Sequence, residues 1–171
     1  NAGDDTLTVL AGAGDGTFAM PPALAIPVGR EPKSVVGGDL DGSGSIDLVS
    51  PNQASDDVSV LLADGSGGFA AAVSVPACHG AHEATLADLD ADGDLDIAVA
   101  CWGGSVVAVL ANEGAGRFAR VETPLIGGSP HSVVAADLDG DGDPDLAFAD
   151  HGTSDVSILR NDGAMAFTFL P

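Results

Sequence analysis

The chain has 171 residues, with 26 acidic against 5 basic side chains and a formal net charge of −21. That balance excludes a nucleic-acid backbone as partner and leaves an anionic membrane hardly better, because like charges repel. Apolar residues make up 45% of the chain, enough for order and one ordinary core, while 4% aromatics without a Tyr require that core to be Val, Leu, Ile and Ala.

The 24 glycines and 10 prolines point to many short strands and turns. No segment sustains a helical period with caps, so no helix is expected. No run approaches the roughly 20 apolar residues that span a bilayer, so membrane insertion is not expected either. The first residue is Asn1 and no charged, apolar, small-residue leader follows it, which is the expectation for a processed product or a segment of something longer.

In chain order, the apolar run LTVL leads to a Gly-rich turn and Phe18, and then to the acidic loop DLDGSGSID, Asp39 to Asp47. VSVLL, another Gly turn and Phe69 precede a second loop, DLDADGDLD, Asp88 to Asp96. VVAVL, NEGAGRF with Phe118, and a third loop, DLDGDGDPD from Asp137 to Asp145, come next, and VSILR and NDGAMAF with Phe167 close the series. The loops recur at a constant interval of 49 residues, as do Phe69, Phe118 and Phe167, with Phe18 lying 51 before Phe69. Self-similarity at such an interval is the mark of a repeat architecture.

One unit reads as four strands. In the last copy they are approximately Ser132–Leu138, Asp145–Asp150, Val156–Asn161 and Ala166–Leu170, the acid loop joining the first two and the Gly turn the last two. Alternation such as Val-Ser-Ile-Leu is the period of a half-buried strand. The expected fold is all-β: propeller blades of four antiparallel strands, about three and a half in this chain. Asn1 aligns near Asn52, which divides the chain into a half blade (outer strands three and four) at 1–29 and blades at 30–77, 78–126 and 127–171. Open blade faces would be covered by the remainder of a longer chain or by further copies of itself.

The acid loops read as calcium cages, three sites in all. Calcium takes about six to eight oxygen ligands at about 2.3–2.6 Å. In D-x-D-x-D-G-x-x-D the alternate side chains at one, three and five turn inward, Gly at six allows a sharp bend, seven offers its carbonyl and nine closes the shell. The ligand sets are Asp39, Asp41, Ser43, the carbonyl of Ser45 and Asp47; Asp88, Asp90, Asp92, the carbonyl of Asp94 and Asp96; and Asp137, Asp139, Asp141, the carbonyl of Asp143 and Asp145. Ser43 supplies a hydroxyl where the other loops have a carboxylate, so the first site should be the weakest. An EF-hand is excluded because position twelve holds Ser50, Val99 and Phe148 rather than a bidentate Glu.

These loops, followed by DLV, DIAV and DLAF and by the Gly-rich turn and Phe, resemble FG-GAP/VCBS repeats, the blades of integrin α-subunit heads and of related bacterial and fungal propellers, lectins included. The resemblance covers nearly the whole chain. It implies a loop between the first two strands of each blade, with calcium bracing the face opposite the usual ligand-binding face. Such propellers usually have seven blades, so a count of three and a half departs from the pattern.

The other end of the blades carries richer chemistry. Positions 33, 82 and 131 are equivalent by the repeat and hold Lys33, His82 and His131; Trp102, His151 and His79 lie there too. An exposed Trp on a rigid scaffold can stack on a sugar or anchor a protein, while a buried one merely fills a gap between blades. Cys78 and Cys101 sit in one repeat, and folding the hairpin about its acid loop brings them together as a disulfide, with zinc held by Cys78, His79, His82 and Cys101 as the lesser alternative. A disulfide suits an oxidising, calcium-rich compartment, extracellular, secreted or cell-surface.

The leading expectation is a noncatalytic, calcium-stabilised extracellular segment that binds protein or glycan, possessing no nucleophile triad or phosphate loop. A structural subunit that self-assembles, or an accessory domain of a larger secreted enzyme, is the alternative.

Overall fold

The computed structural model describes residues 1–18 and 24–170. Residues 19–23 of the expected half blade, and Pro171, lie outside the described residues. Among the described residues, fourteen strands form four antiparallel sheets. The first is the pair β1 (Thr6–Val9) and β2 (Leu24–Pro27). The second runs through β3 (Val36–Gly38), β4 (Asp47–Asn52), β5 (Asp57–Leu61) and β6 (Val73–Pro76) in sequence order. The third does the same through β7 (Ala81–Ala87), β8 (Asp96–Cys101), β9 (Val107–Asn112) and β10 (Phe118–Val121). The fourth comprises β11 (Pro130–Ala136), β12 (Asp145–Asp150), β13 (Asp155–Asn161) and β14 (Phe167–Leu170). All-β, four-stranded antiparallel blades are therefore the architecture, one of them represented by two strands, and the ring is not closed within the chain.

Strand bounds differ slightly from those the residues suggest. β11 starts at Pro130 and stops at Ala136, two residues ahead of the expected range at each end. At its start a register irregularity between Pro130 and Ser132 extends the pairing. At its end the Leu138 amide has left the ladder to donate to the Asp145 carboxylate.

The blades stack face to face. β7 packs on β3 and β4, and β11 packs on β7 and β8, so the first strands of successive blades are neighbours. The core lies between sheets. Val49, Val58 and Val60 meet Ile97, Val99 and Leu110 in one layer; Ala98, Ala100, Val107 and Val109 meet Leu146, Phe148 and Leu159 in the next. Leu7, Ile26 and Leu61 form a smaller layer behind the two-stranded sheet.

Alternating residues of β8 and β9 thus enter two different layers, and β8 is buried along its whole length. That is why DIAVAC lacks polar alternation: both faces of the third sheet are covered. β13 alternates instead, because only one face of the fourth sheet meets another blade. Its far face leaves Val134 and Val156 exposed at 55% and 64%.

Candidate functional site

Each acid loop leaves the first strand of a blade and returns as the second. The Gly at position six adopts the left-handed conformation in every copy, with φ of 82° at Gly44, 97° at Gly93 and 102° at Gly142. A side chain there would be strained, so the Gly is what lets the loop reverse. The amides of these glycines donate to Asp39, Asp88 and Asp137 at 2.8, 3.0 and 3.1 Å, folding position one over the loop.

The result is three carboxylate trios: Asp39, Asp41 and Asp47; Asp88, Asp90 and Asp96; Asp137, Asp139 and Asp145, with the facing ligand atoms of each within 4.8 Å of one another. Oxygens on opposite sides of a calcium-sized ion would stand about 4.6–5.2 Å apart. An all-oxygen, strongly anionic donor set at this spacing fits a hard divalent cation. Position five stands outside the trio: Ser43, Asp92 and Asp141 accept the amides of Ser45, Asp94 and Asp143 at 3.3, 2.8 and 2.9 Å.

Position nine has a structural duty as well. Asp47, Asp96 and Asp145 are buried. One oxygen of each accepts the amide of Leu40, Leu89 or Leu138 at 2.8, 2.7 and 2.9 Å. The other accepts the amide of Ala63, Asn112 or Asn161 at 2.7, 2.8 and 2.8 Å, tying the loop to the third strand. Burial pushes the Asp96 carboxyl up to about 6, the charges of Asp90 and Asp92 adding to the shift while the two amide donors oppose it. Burial and the neighbouring Asp92 and Asp141 also raise Asp90 and Asp139. A cation among these oxygens would reverse that trend.

At the opposite end the chain brings together residues from two blades. Trp102 follows β8, His82 lies on β7, His131 on β11 and His151 just beyond β12. The His82 and His131 rings are tilted with centroids 3.8 Å apart, and Trp102 meets them edge-on at 5.9 and 5.3 Å. His151 completes the group at 5.9 Å from His131 and 6.5 Å from Trp102. His82 Nδ1 lies 3.0 Å from the His131 carbonyl, so this nitrogen carries the proton and donates. Burial, then the neighbouring His131, holds the His82 pKa below its usual value.

Trp102 is 40% exposed and held by its neighbours in sequence. Cys78 and Cys101 form a disulfide with Cα atoms 5.9 Å apart. Zinc through these cysteines is thereby overturned, since both sulfurs are committed. The Trp102 amide donates to the Gly80 carbonyl, and Gly80, at φ 72°, lies so near Gly103 that a Cβ would come within 2.5 Å of its nitrogen. Lys33 pairs with Glu31 at 3.6 Å while its charge also acts on His82, and His79 Nδ1 faces Asp56 at 3.2 Å.

Two residues that pattern reading passes over belong to this end. A cleft of about 230 Å³ is lined by His131, His151, Asp150, Asp155 and Ala149. Asp150 is 4% exposed; one oxygen accepts from the Ser157 hydroxyl, and Oδ1 has no hydrogen-bond partner among the described residues. Burial raises its pKa. Its counterpart in the second sheet is Asn52, whose amide donates to Asp57 and Ser59 at 2.9 and 3.0 Å. The only sequence signal was a polar residue at the end of each second strand, replaced by Cys101 in the third sheet.

Among solved structures the chain is similar to a lectin from Agrocybe aegerita, described as specifically recognising non-reducing terminal N-acetylglucosamine, at 24% identity and TM-score 0.65 over 96% of this chain and 45% of that one. It is also similar to the V. cholerae biofilm matrix protein Bap1, at 19% identity and TM-score 0.55 over 98% of this chain and 24% of that one. A Photorhabdus luminescens Tc holotoxin pore gives 19% identity and TM-score 0.53, covering 97% of this chain and 8% of the other. At these identities the likeness is one of fold, and the chain spans less than half the length of each. No curated protein matches. The model of the FG-GAP-like repeat matches residues 39–99 and 88–148, each match running from the start of one acid loop into the second strand of the next blade. Together they take in more than half of the chain, which belongs to the FG-GAP-like repeat family.

Proposed function

We propose that this chain is a noncatalytic, calcium-braced part of an extracellular β-propeller that binds a glycan or protein through the end carrying Trp102. The carrying observation is the meeting of Trp102 with His82, His131 and His151 beside a cleft that His131, His151 and Asp150 line. A partly exposed indole can stack on an apolar sugar face, while the imidazoles lining the neighbouring cleft can hydrogen-bond sugar hydroxyls. The likeness to a fungal lectin and a biofilm matrix protein favours this class of ligand. The disulfide favours an oxidising compartment, where millimolar calcium would fill the acid loops.

Calcium would be held by Asp39, Asp41 and Asp47 and the two equivalent trios, with the position-five and position-seven groups completing each shell. Its role there is to neutralise clustered carboxylates and fix the turn between the first two strands. A glycan array followed by calorimetry on the strongest hit is the test. Binding that Trp102→Ala abolishes, with an unchanged melting temperature, supports the reading; binding that survives in Trp102→Ala refutes this location.

A structural reading is favoured by a different observation, the uncovered apolar face of the fourth sheet with Val134 and Val156 exposed. On that reading copies stack blade to blade. Light scattering that finds a concentration-dependent oligomer, lost in Val156→Lys, distinguishes it.

A further inference from the structure

Asn112 and Asn161 close the third strands of their blades, and each reaches into the blade before it. The Asn112 side-chain amide donates to the Leu40 carbonyl at 2.8 Å and to the Leu95 carbonyl at 3.1 Å. Asn161 repeats this on Leu89 at 2.7 Å and Pro144 at 3.3 Å. Each side-chain oxygen is satisfied in turn, accepting from Gly114 or Gly163 at 3.1 and 3.2 Å. Both side chains are buried.

The acceptors are not arbitrary carbonyls. Leu40 lies between Asp39 and Asp41, and Leu95 immediately precedes Asp96; Leu89 lies between Asp88 and Asp90, and Pro144 immediately precedes Asp145. One amide group therefore joins the backbone of ligand positions one and three in one loop to the backbone of position nine in the next. Asn112 links the first loop to the second, and Asn161 links the second to the third. The backbone bracket to position nine occurs in all three loops, whereas the side-chain link occurs only at these two: the equivalent position in the second sheet is Ala63, which follows a sheet that has no acid loop among the described residues.

We propose that Asn112 and Asn161 are positioning residues that couple the three acid loops, so that filling one loop with calcium raises the affinity of its neighbour. The inference rests on the calcium reading. An ion that fixes one loop also fixes the shared amide, and the adjacent loop then has less freedom to lose when its own ion binds. Such coupling is reciprocal between each linked pair.

The test follows the amide resonances of Gly44, Gly93 and Gly142, which report the loops separately, through a calcium titration of the full chain. In the parent protein the three should titrate together and more steeply than independent sites. Asn112→Ala should weaken the first and second loops about five- to tenfold and the third by less, through its intact link to the second, while Asn161→Ala should weaken the second and third and the first by less. Should either variant fold poorly, Asp90→Asn, which removes a carboxylate from the second loop alone, should weaken the first and third loops by a similar factor. Independent titration in the parent with no shift in any variant overturns the proposal. Equal weakening of all three loops by Asn112→Ala also overturns it, because that pattern belongs to general destabilisation. No response to calcium in the parent would instead refute the calcium reading, and this inference with it.

Discussion

At the acid-loop end, Asp47, Asp96 and Asp145 each accept the same two amides, from the second loop residue and from the third strand. At the other end, equivalent positions 52, 101 and 150 hold Asn, Cys and Asp, and each builds something different. Asn52 organises Asp57 and Ser59, Cys101 closes a disulfide, and Asp150 lines a cleft with His131 and His151, although Asn52 and Asp150 alike keep one buried oxygen without a hydrogen-bond partner among the described residues. The uniform end is set by a requirement every blade shares, a tight acidic reversal between its first two strands. The varied end has no such shared geometry, and its residues are free to differ blade by blade. The proposed division of labour between bracing and recognition rests on that contrast.

The broadest challenge to the contrast is to remove the ion. At about 10 mM calcium, sites with Kd about 0.1–1 mM would each contribute about 1.4–2.7 kcal/mol. A chelator should then lower the melting temperature by the largest step of any single change, while Trp102 fluorescence in the folded protein stays unchanged. A shift in that fluorescence on chelation would show the two ends are not separate.

Next in size is the disulfide. Replacing Cys78 and Cys101 with Ala should cost about 3 kcal/mol by denaturant unfolding and, unlike chelation, alter the Trp102 environment. Asp150→Asn should move stability the other way. It removes a buried charge while keeping a group that can accept from Ser157, so a gain of about 1 kcal/mol at pH 7 is expected, together with weaker ligand binding. Ser43→Asp sharpens the uniform end: a restored carboxylate should tighten the first loop several-fold, read from the Gly44 amide.

The smallest effect concerns pH. His82 has a folded pKa held below its ordinary value of 6.5, chiefly by burial and secondarily by His131. The fold therefore favours neutral His82: this contribution is fully present above the unfolded pKa of 6.5 and is lost as pH falls through the lower folded value. The charged groups around it act both ways, Lys33 with His131 and Glu83 against. In saturating calcium, the melting temperature should fall between pH 7.5 and 5 more in the parent than in His82→Gln. Equal slopes would remove His82 as the cause.

Much of this was legible in the residues. The acid loops, their Gly, the Phe turns and the blade count follow from period and spacing, and the hairpin about the second loop predicts Cys78 beside Cys101. Position five was expected among the metal ligands; in the structure each of those side chains accepts the amide two residues on, as Asp41, Asp90 and Asp139 at position three also do. Lys33 shares the repeat position of His82 and His131 and pairs with the neighbouring Glu31. Asn112 and Asn161 read as ordinary turn residues in NEG and NDG. Their shared place six residues before Phe118 and Phe167 was the one available hint.

The sequence by itself determined what short segments decide: strands, reversing loops, clustered carboxylates and the family to which they belong. Each depends on backbone preference and side-chain type within one 49-residue unit. Only the tertiary structure decided which units touch. Asn112 meets a carbonyl 72 positions away, and His82 meets the His131 carbonyl 49 away, because stacked blades bring equivalent positions to one end and into contact. Whether such neighbours bond, stack or stand apart depends on a separation of a few ångströms between sheets, a distance set by the packed core between them.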